Sequence, residues 1–250
     1  MLMSAIQVQL ALKNLLFINY SVPPDRLRGL VPDELELDMS TDSAGRKVAF
    51  VSAVPFHIAE LRSSLLPIMR PSFDQVNYRT YVNAGEGPAV YFFNMNVNSR
   101  MISAAAIMMG MPASYEEIEI IAEPASTTPE SKVRAVRCAI KSEGQAGLEA
   151  DIEIGGRQPS IGPQDEAIPP DFITERPIGY VKSAADGIMK ITVQHPPLDA
   201  VTAHVNSVRT PEFVSLGLLN QDQSSRPHSV LYVKEAVFRT YPPMLWLSKD

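Results

Sequence analysis

The chain has 250 residues, 45% of them hydrophobic and 20% charged, with a formal net charge of −6 and a pI near 5.3. A chain of this length buries roughly 70 to 75% of the surface its unfolded form exposes, and no linker divides it, so a single domain over residues 1–250 is expected. The acidic balance and the lack of any long block of like charge exclude a general attraction to phosphate backbones, so nucleic acid is not an expected partner.

Residues 1–12 lack the basic start and cleavage pattern of a secretory signal, and Lys13 interrupts the apolar run around it. No stretch reaches the roughly 20 apolar residues that cross a bilayer. A soluble, cytoplasmic protein with no membrane partner is the expectation. The first strand is read at residues 15–19. Pro23-Pro24-Asp25 then opens a turn or two of helix ending at Gly29, with proline in the first turn and glycine just past the last. Strands follow at 48–56, 77–83 and 89–97, the last two joined by Asn83-Ala84-Gly85-Glu86-Gly87-Pro88 as by a hairpin loop. Residues 99–109, apolar and rich in Ala and Met, read as a buried helix.

Further strands are read at 117–122, 133–142 and 148–154, with glycine breakers at 144–147 and 155–156. Residues 155–171, rich in proline, form a long connection that is either surface decoration or a lid. Short helices at 198–201 and 211–219 and strands at 188–195 and 229–238 complete the reading. Nine short runs of β-branched and aromatic residues imply a sheet-based fold, with antiparallel neighbours as the simplest connection.

Cys138 is the only cysteine, so neither an intramolecular disulfide nor a cysteine metal cluster is possible; its alternating surroundings read as a strand and its side chain as a small buried apolar group. His57, His195, His204 and His228 lack the short spacing of paired metal ligands, and no metal or cofactor is expected. No nucleophile elbow, phosphate loop or dinucleotide fingerprint is present. Strand alternation puts Arg79 and Tyr81 on one face and Tyr78 and Thr80 on the other. Arg79 either faces a cavity, binding an anion with Tyr81 as a neutral donor, or pairs with an acid such as Glu117 or Glu175. Asn94, Asn96 and Asn98 recur at period two and line either a polar cavity or a solvated strand face. The adjacent Glu116 and Glu117 point oppositely on a strand and do not form a ready acid/base pair. Met101, Met108, Met109 and Met111 fill either an irregular core or an apolar pocket.

Three motifs stand in order along the chain. Tyr20 ends the first strand, Leu27-Arg28 follows, and Val31-Pro32-Asp33-Glu34-Leu35-Glu36 closes the first segment; Asn77-Tyr78-Arg79-Thr80-Tyr81-Val82 with Val90-Tyr91-Phe92-Phe93 comes next, and Phe172-Ile173-Thr174-Glu175-Arg176 later. The first resembles the opening of the acetoacetate decarboxylase-like superfamily, and the other two narrow the likeness to that superfamily's large uncharacterised branch. The resemblance implies a β-rich α+β fold, an antiparallel barrel-like sheet with a few peripheral helices and an interior cavity. It also implies a Schiff-base lysine pair after a proline, yet the matching segment reads Pro112-Ala113-Ser114. The superfamily's arginine before the first strand falls at Lys13, and its two acidic positions fall at Val51 and Thr80. Lys182, Lys190 and Lys234 are expected to keep their amines in solvent.

The expectation is therefore a protein without the Schiff-base apparatus that binds a small organic metabolite, a carboxylate or other polar molecule, in an interior cavity. Lys13, Arg79, Tyr81, Asn96 and Glu117 are the candidate ligand-binding residues, and a homo-oligomer is possible on exposed sheet edges. Two alternatives stay open: lyase, hydratase or isomerase chemistry on a keto or enol substrate, and a structural, oligomeric role with a vestigial cavity.

Overall fold

A computed structural model describes residues 6–42, 44–65, 67–124, 134–142, 145–154, 168–183 and 187–246, with backbone alone for 123–124, 134–142 and 145–146. The readings of the Cys138 side chain and of residues 155–167 lie outside the described residues. In chain order the strands are β1 (Val8–Val22), β2 (Glu36–Leu37), β3 (Ser40–Thr41), β4 (Lys47–Ser63), β5 (Phe73–Asn83) and β6 (Pro88–Val97), then helix α1 (Arg100–Met108). Strands β7 (Ala113–Tyr115), β8 (Glu117–Pro124), β9 (Arg134–Ser142) and β10 (Gln145–Ile154) precede helix α2 (Pro170–Thr174). The chain continues through β11 (Ile178–Lys182), β12 (Ile188–Gln194), β13 (Val201–Arg209), helix α3 (Pro211–Ser215), β14 (Ser229–Thr240) and β15 (Met244–Trp246).

Seven strands form a closed ring in the order β12, β11, β6, β5, β4, β1, β14, sealed where Val193 and Gln194 of β12 pair with Thr240 and Arg239 of β14. From β14 the sheet runs on through β13 into a second layer of β10, β9 and β8. One cluster of buried side chains takes a member from every ring strand, including Phe17, Phe50, Tyr81, Phe92, Val181, Ile191 and Leu231, and is therefore the ring's interior. A second cluster joins the outer faces of ring strands, through Leu16, Ile18, Tyr20 and Tyr78, to Leu148, Ile152 and Val208 of the second layer and Phe213 of α3. Burial on both faces explains why Leu15 to Tyr20 is almost continuously apolar, where a half-buried strand would alternate.

Each of the nine strand readings overlaps a strand, and the short proline-led turn is a 3-10 turn at Pro24–Arg26. Three readings need correction. Strand β6 pairs in parallel with β7 and β11, because the chain between them crosses over instead of turning back. Residues 198–201 are not helical; Val201 begins β13. Helix α1 exists but is not buried: Ser103 is its one buried residue, and Met108 is 83% exposed. A helix apolar all round gives composition no face by which to decide whether it is covered.

Candidate functional site

Strand β5 carries Arg79 and Tyr81 into the ring, since Phe73 and Tyr81 belong to the interior core and Val76, Tyr78 and Val82 to the outer one. The Arg79 guanidinium lies 5.3 Å from the Phe17 ring centroid and 5.5 Å from that of Tyr81. Its Nη2 donates to the Ile173 carbonyl at 2.8 Å, whereas its Nε is buried with no hydrogen-bond partner. Among the described residues no carboxylate pairs with it; Glu117 is exposed, and Glu175 accepts instead from the Leu198 amide at 3.2 Å.

The Tyr81 hydroxyl stands 2.6 Å from Ser52 Oγ, and Ser52 donates to Asn19 Oδ1 at 2.6 Å. Ser52 has one hydroxyl proton and gives it to Asn19, so Tyr81 must donate to Ser52. Tyr81 thus presents a lone pair to the interior and not the free donor expected from the sequence. Asn19 Nδ2 completes the chain by donating to Ser229 Oγ at 3.2 Å and to the Phe17 carbonyl at 3.1 Å.

Arg176, which sequence reasoning treated only as part of a motif, closes the site from α2. It is 6% exposed, bonds Asp38 Oδ2 at 2.6 Å and the Phe172 carbonyl at 2.7 Å, and its guanidinium lies 4.3 Å from the Phe172 ring centroid and 5.1 Å from that of Tyr81. Two guanidinium groups thus flank Tyr81, and Asp38 answers one of them. A cation directly after a short proline-led helix was the available signal.

The other three predicted residues stand elsewhere, and slips in strand alternation account for two of them. Leu12 and Leu15 both face the interior although three residues apart, because the alternation changes at Asn14, whose φ of 54° is left-handed. Lys13 is left exposed, in register with His57 and Glu235. Asn96 shares its parity with interior Phe92, but the register shifts between Tyr78–Asn94 and Arg79–Phe92 and leaves Phe93 as the extra residue of a bulge. Asn96 therefore faces the outer core, 1% exposed, where it accepts from Ser114 Oγ at 2.8 Å and hydrogen-bonds Glu116. Nearby, Asn94 donates to Glu212 at 3.4 Å. Burial, and after it the neighbouring Glu212, raises the Glu116 carboxyl; burial also raises Glu212. Glu117 is exposed on β8.

At the position matched to the lysine pair, Ala113 of β7 pairs with Met95 of β6, an interior-core residue, and Ser114 pairs with Asn96. Lys182 and Lys234 are exposed, and Lys190 pairs with Glu86. A separate surface cleft of about 280 Å³, lined by Leu30, Glu34, Lys182 and Ile188 among others, includes none of the predicted residues. The convergent polar groups lie inside the ring, which is therefore the better candidate site. Among the described residues no group of three or more His, Cys, Asp or Glu is arranged to hold a metal ion, and no helix is long and apolar enough to cross a membrane.

The model of the DUF2071 family, described as an uncharacterized conserved protein, matches residues 9–236. Over 109 residues the chain is 31% identical to the uncharacterized protein YqjF of Bacillus subtilis strain 168, a segment covering 42% of this chain and 43% of that protein's length. Among solved structures, the enduracididine biosynthesis enzyme MppR complexed with pyruvate superposes with a TM-score of 0.60 at 12% identity, over 98% of this chain and 91% of that one. An acetoacetate decarboxylase-like enzyme from Sphingomonas wittichii RW1 gives 0.59 at 13%, over 98% and 94%. Acetoacetate decarboxylase from Legionella pneumophila gives 0.60 at 10%, over 96% and 87%. At these identities the likeness is one of fold.

Proposed function

We propose, from the premise that the chain belongs to the DUF2071 family and has an acetoacetate decarboxylase-like fold, that it binds a small carboxylate inside the ring at Arg79, without Schiff-base chemistry. One observation carries this reading: Arg79 is a ring-interior cation with a buried, unpartnered Nε and no carboxylate partner among the described residues. Taking a cation out of water is costly unless it is paired. A single carbonyl and two aromatic faces answer Arg79 in part. A carboxylate would complete its shell through the planar fork, a geometry that an ammonium cannot reproduce.

The apolar walls of Phe17, Phe50 and Phe92 favour a compact ligand carrying one negative charge. Ala113 and Ser114 offer no amine where the superfamily's lysines are matched, which supports reversible binding over covalent capture. The alternative of altered lyase, hydratase or isomerase chemistry needs a titratable group with a shifted pKa beside Arg79. The carboxyls whose pKa values are raised, Glu116 and Glu212, lie instead with Asn94 and Asn96, and Asn96 faces the outer core. Binding is therefore the better supported reading.

MppR has been solved with pyruvate, so pyruvate is the first probe. Calorimetry with pyruvate and related oxo and hydroxy acids is expected to show binding that Arg79→Met weakens about tenfold or more, the scale of a lost charge-assisted hydrogen bond. Arg79→Lys should recover only part of it. Equal affinity in Arg79→Met, or a lysine adduct trapped by borohydride, would overturn the proposal.

A further inference from the structure

The Arg79 site is occupied on one side by a piece of the chain itself. Helix α2 is five residues long, and its ends are held by the Phe172 amide on the Pro169 carbonyl at 3.0 Å and the Glu175 amide on the Asp171 carbonyl at 2.9 Å. A helix that short has no stability of its own, so its position depends on what it touches. The Ile173 side chain is 1% exposed within the interior core. The Phe172 ring rests against Tyr81 at 5.3 Å and Phe50 at 6.1 Å, with Arg176 over it. Its last carbonyls are held by two cations, Phe172 by Arg176 and Ile173 by Arg79.

Resting on the reading of Arg79 as an anion site, we infer that α2 is a displaceable plug, and that an entering carboxylate and the Ile173 carbonyl compete for the same guanidinium. Access favours an exchange. Nε is buried, so no ligand reaches it while the packing around it is closed, and a two-point grip through Nε and Nη2 sets the anion on the same nitrogen that now donates to Ile173. Replacing a neutral carbonyl by a carboxylate on a partly buried cation is favourable, and that gain opposes the burial of Phe172 and Ile173. The apparent affinity for the anion is then its intrinsic affinity reduced by the fraction of molecules with the plug released. Arg176 stays paired with Asp38 and marks the hinge side, since Arg176 leads directly into Pro177 and β11.

Two measurements test the plug with pyruvate as the probe. Phe172→Ala removes packing from α2 and leaves Arg79 untouched, so it is expected to tighten pyruvate binding several-fold, whereas a merely structural role predicts weaker or unchanged binding. Hydrogen exchange should show the Phe172 and Glu175 amides exchanging about tenfold faster when pyruvate saturates the wild-type protein, where ordinary ligand binding slows exchange. In Arg79→Met these amides should exchange fast without ligand and respond no further. Binding that depends on Arg79 but leaves α2 exchange unchanged or slower, or Phe172→Ala binding no tighter than wild type, overturns the plug while leaving the anion site standing. Absence of any pyruvate binding overturns the anion site and the competition together.

Discussion

Tyr20 shows how a single side chain joins distant parts of the fold. Its hydroxyl lies 2.7 Å from Thr210 Oγ1 and donates to the Ser224 carbonyl at 2.8 Å, tying β1 to the segment around α3. Since Tyr20 gives its proton to the carbonyl, Thr210 must donate to it. Burial pushes the Tyr20 phenol well above its usual range, so it stays neutral wherever the protein is folded. Tyr20→Phe strands a buried carbonyl and a buried hydroxyl and is expected to cost about 1–3 kcal/mol by denaturant unfolding, with no change in slope. The Tyr81–Ser52–Asn19 chain obeys the same proton accounting, and it decides that Tyr81 meets the interior as an acceptor. Neither assignment was legible in the sequence, because the partners lie from 29 to 204 positions away.

At the scale of the element, alternation served wherever a strand was regular and failed where it slipped. Arg79 and Tyr81 share a face as their spacing implies, while the slip at Asn14 and the bulge at Phe93 turned Lys13 and Asn96 away from them. A change of one residue moves every following side chain to the other face, and neither slip carries a glycine or proline to announce it. Strand β11 shows a related constraint. A Cβ on Gly179 would stand 2.6 Å from Phe92 Cε2, so the ring of Phe92 lies where a side chain would be. Phe92 is packed inside the ring and has little room to retreat. Gly179→Ala is expected to destabilise by about 1–3 kcal/mol, read as a lower denaturation midpoint, because overpacking forces rotamer or backbone shifts. Phe92→Leu should relieve part of that cost in the double variant.

At the scale of the molecule, the ring and the second layer meet across a seam that holds two carboxyls, Glu116 leading into β8 and Glu212 in α3, with Asn96, Ser114 and Asn94 as polar company. Both have pKa values raised above the ordinary 4.5. The folded state therefore holds more protons than the unfolded state just above that value, and stability falls as pH rises from about 4.5 through the native values. Glu116→Gln and Glu212→Gln should each flatten that slope and raise the neutral-pH denaturation midpoint. Their combined effect should be less than additive, since each carboxyl relieved also relieves its neighbour. An unchanged slope in both variants would mean that the seam hydrates its charges.

The sequence by itself determined the local and periodic facts: nine strand segments, the short proline-led turn, the shared face of Arg79 and Tyr81, and three ordered motifs sufficient for the decarboxylase-like fold. These follow from near-neighbour sterics and side-chain period, which a linear chain displays directly. Only the tertiary structure decided ring closure between β12 and β14, the parallel partners of β6, the exposure of α1 and the approach of Arg176 to Tyr81. Each of these depends on contacts between segments far apart in the chain, or on a single slip in register. Composition is blind to both, because the same residues with the same period fit either face of a strand until the other side of the fold is in place.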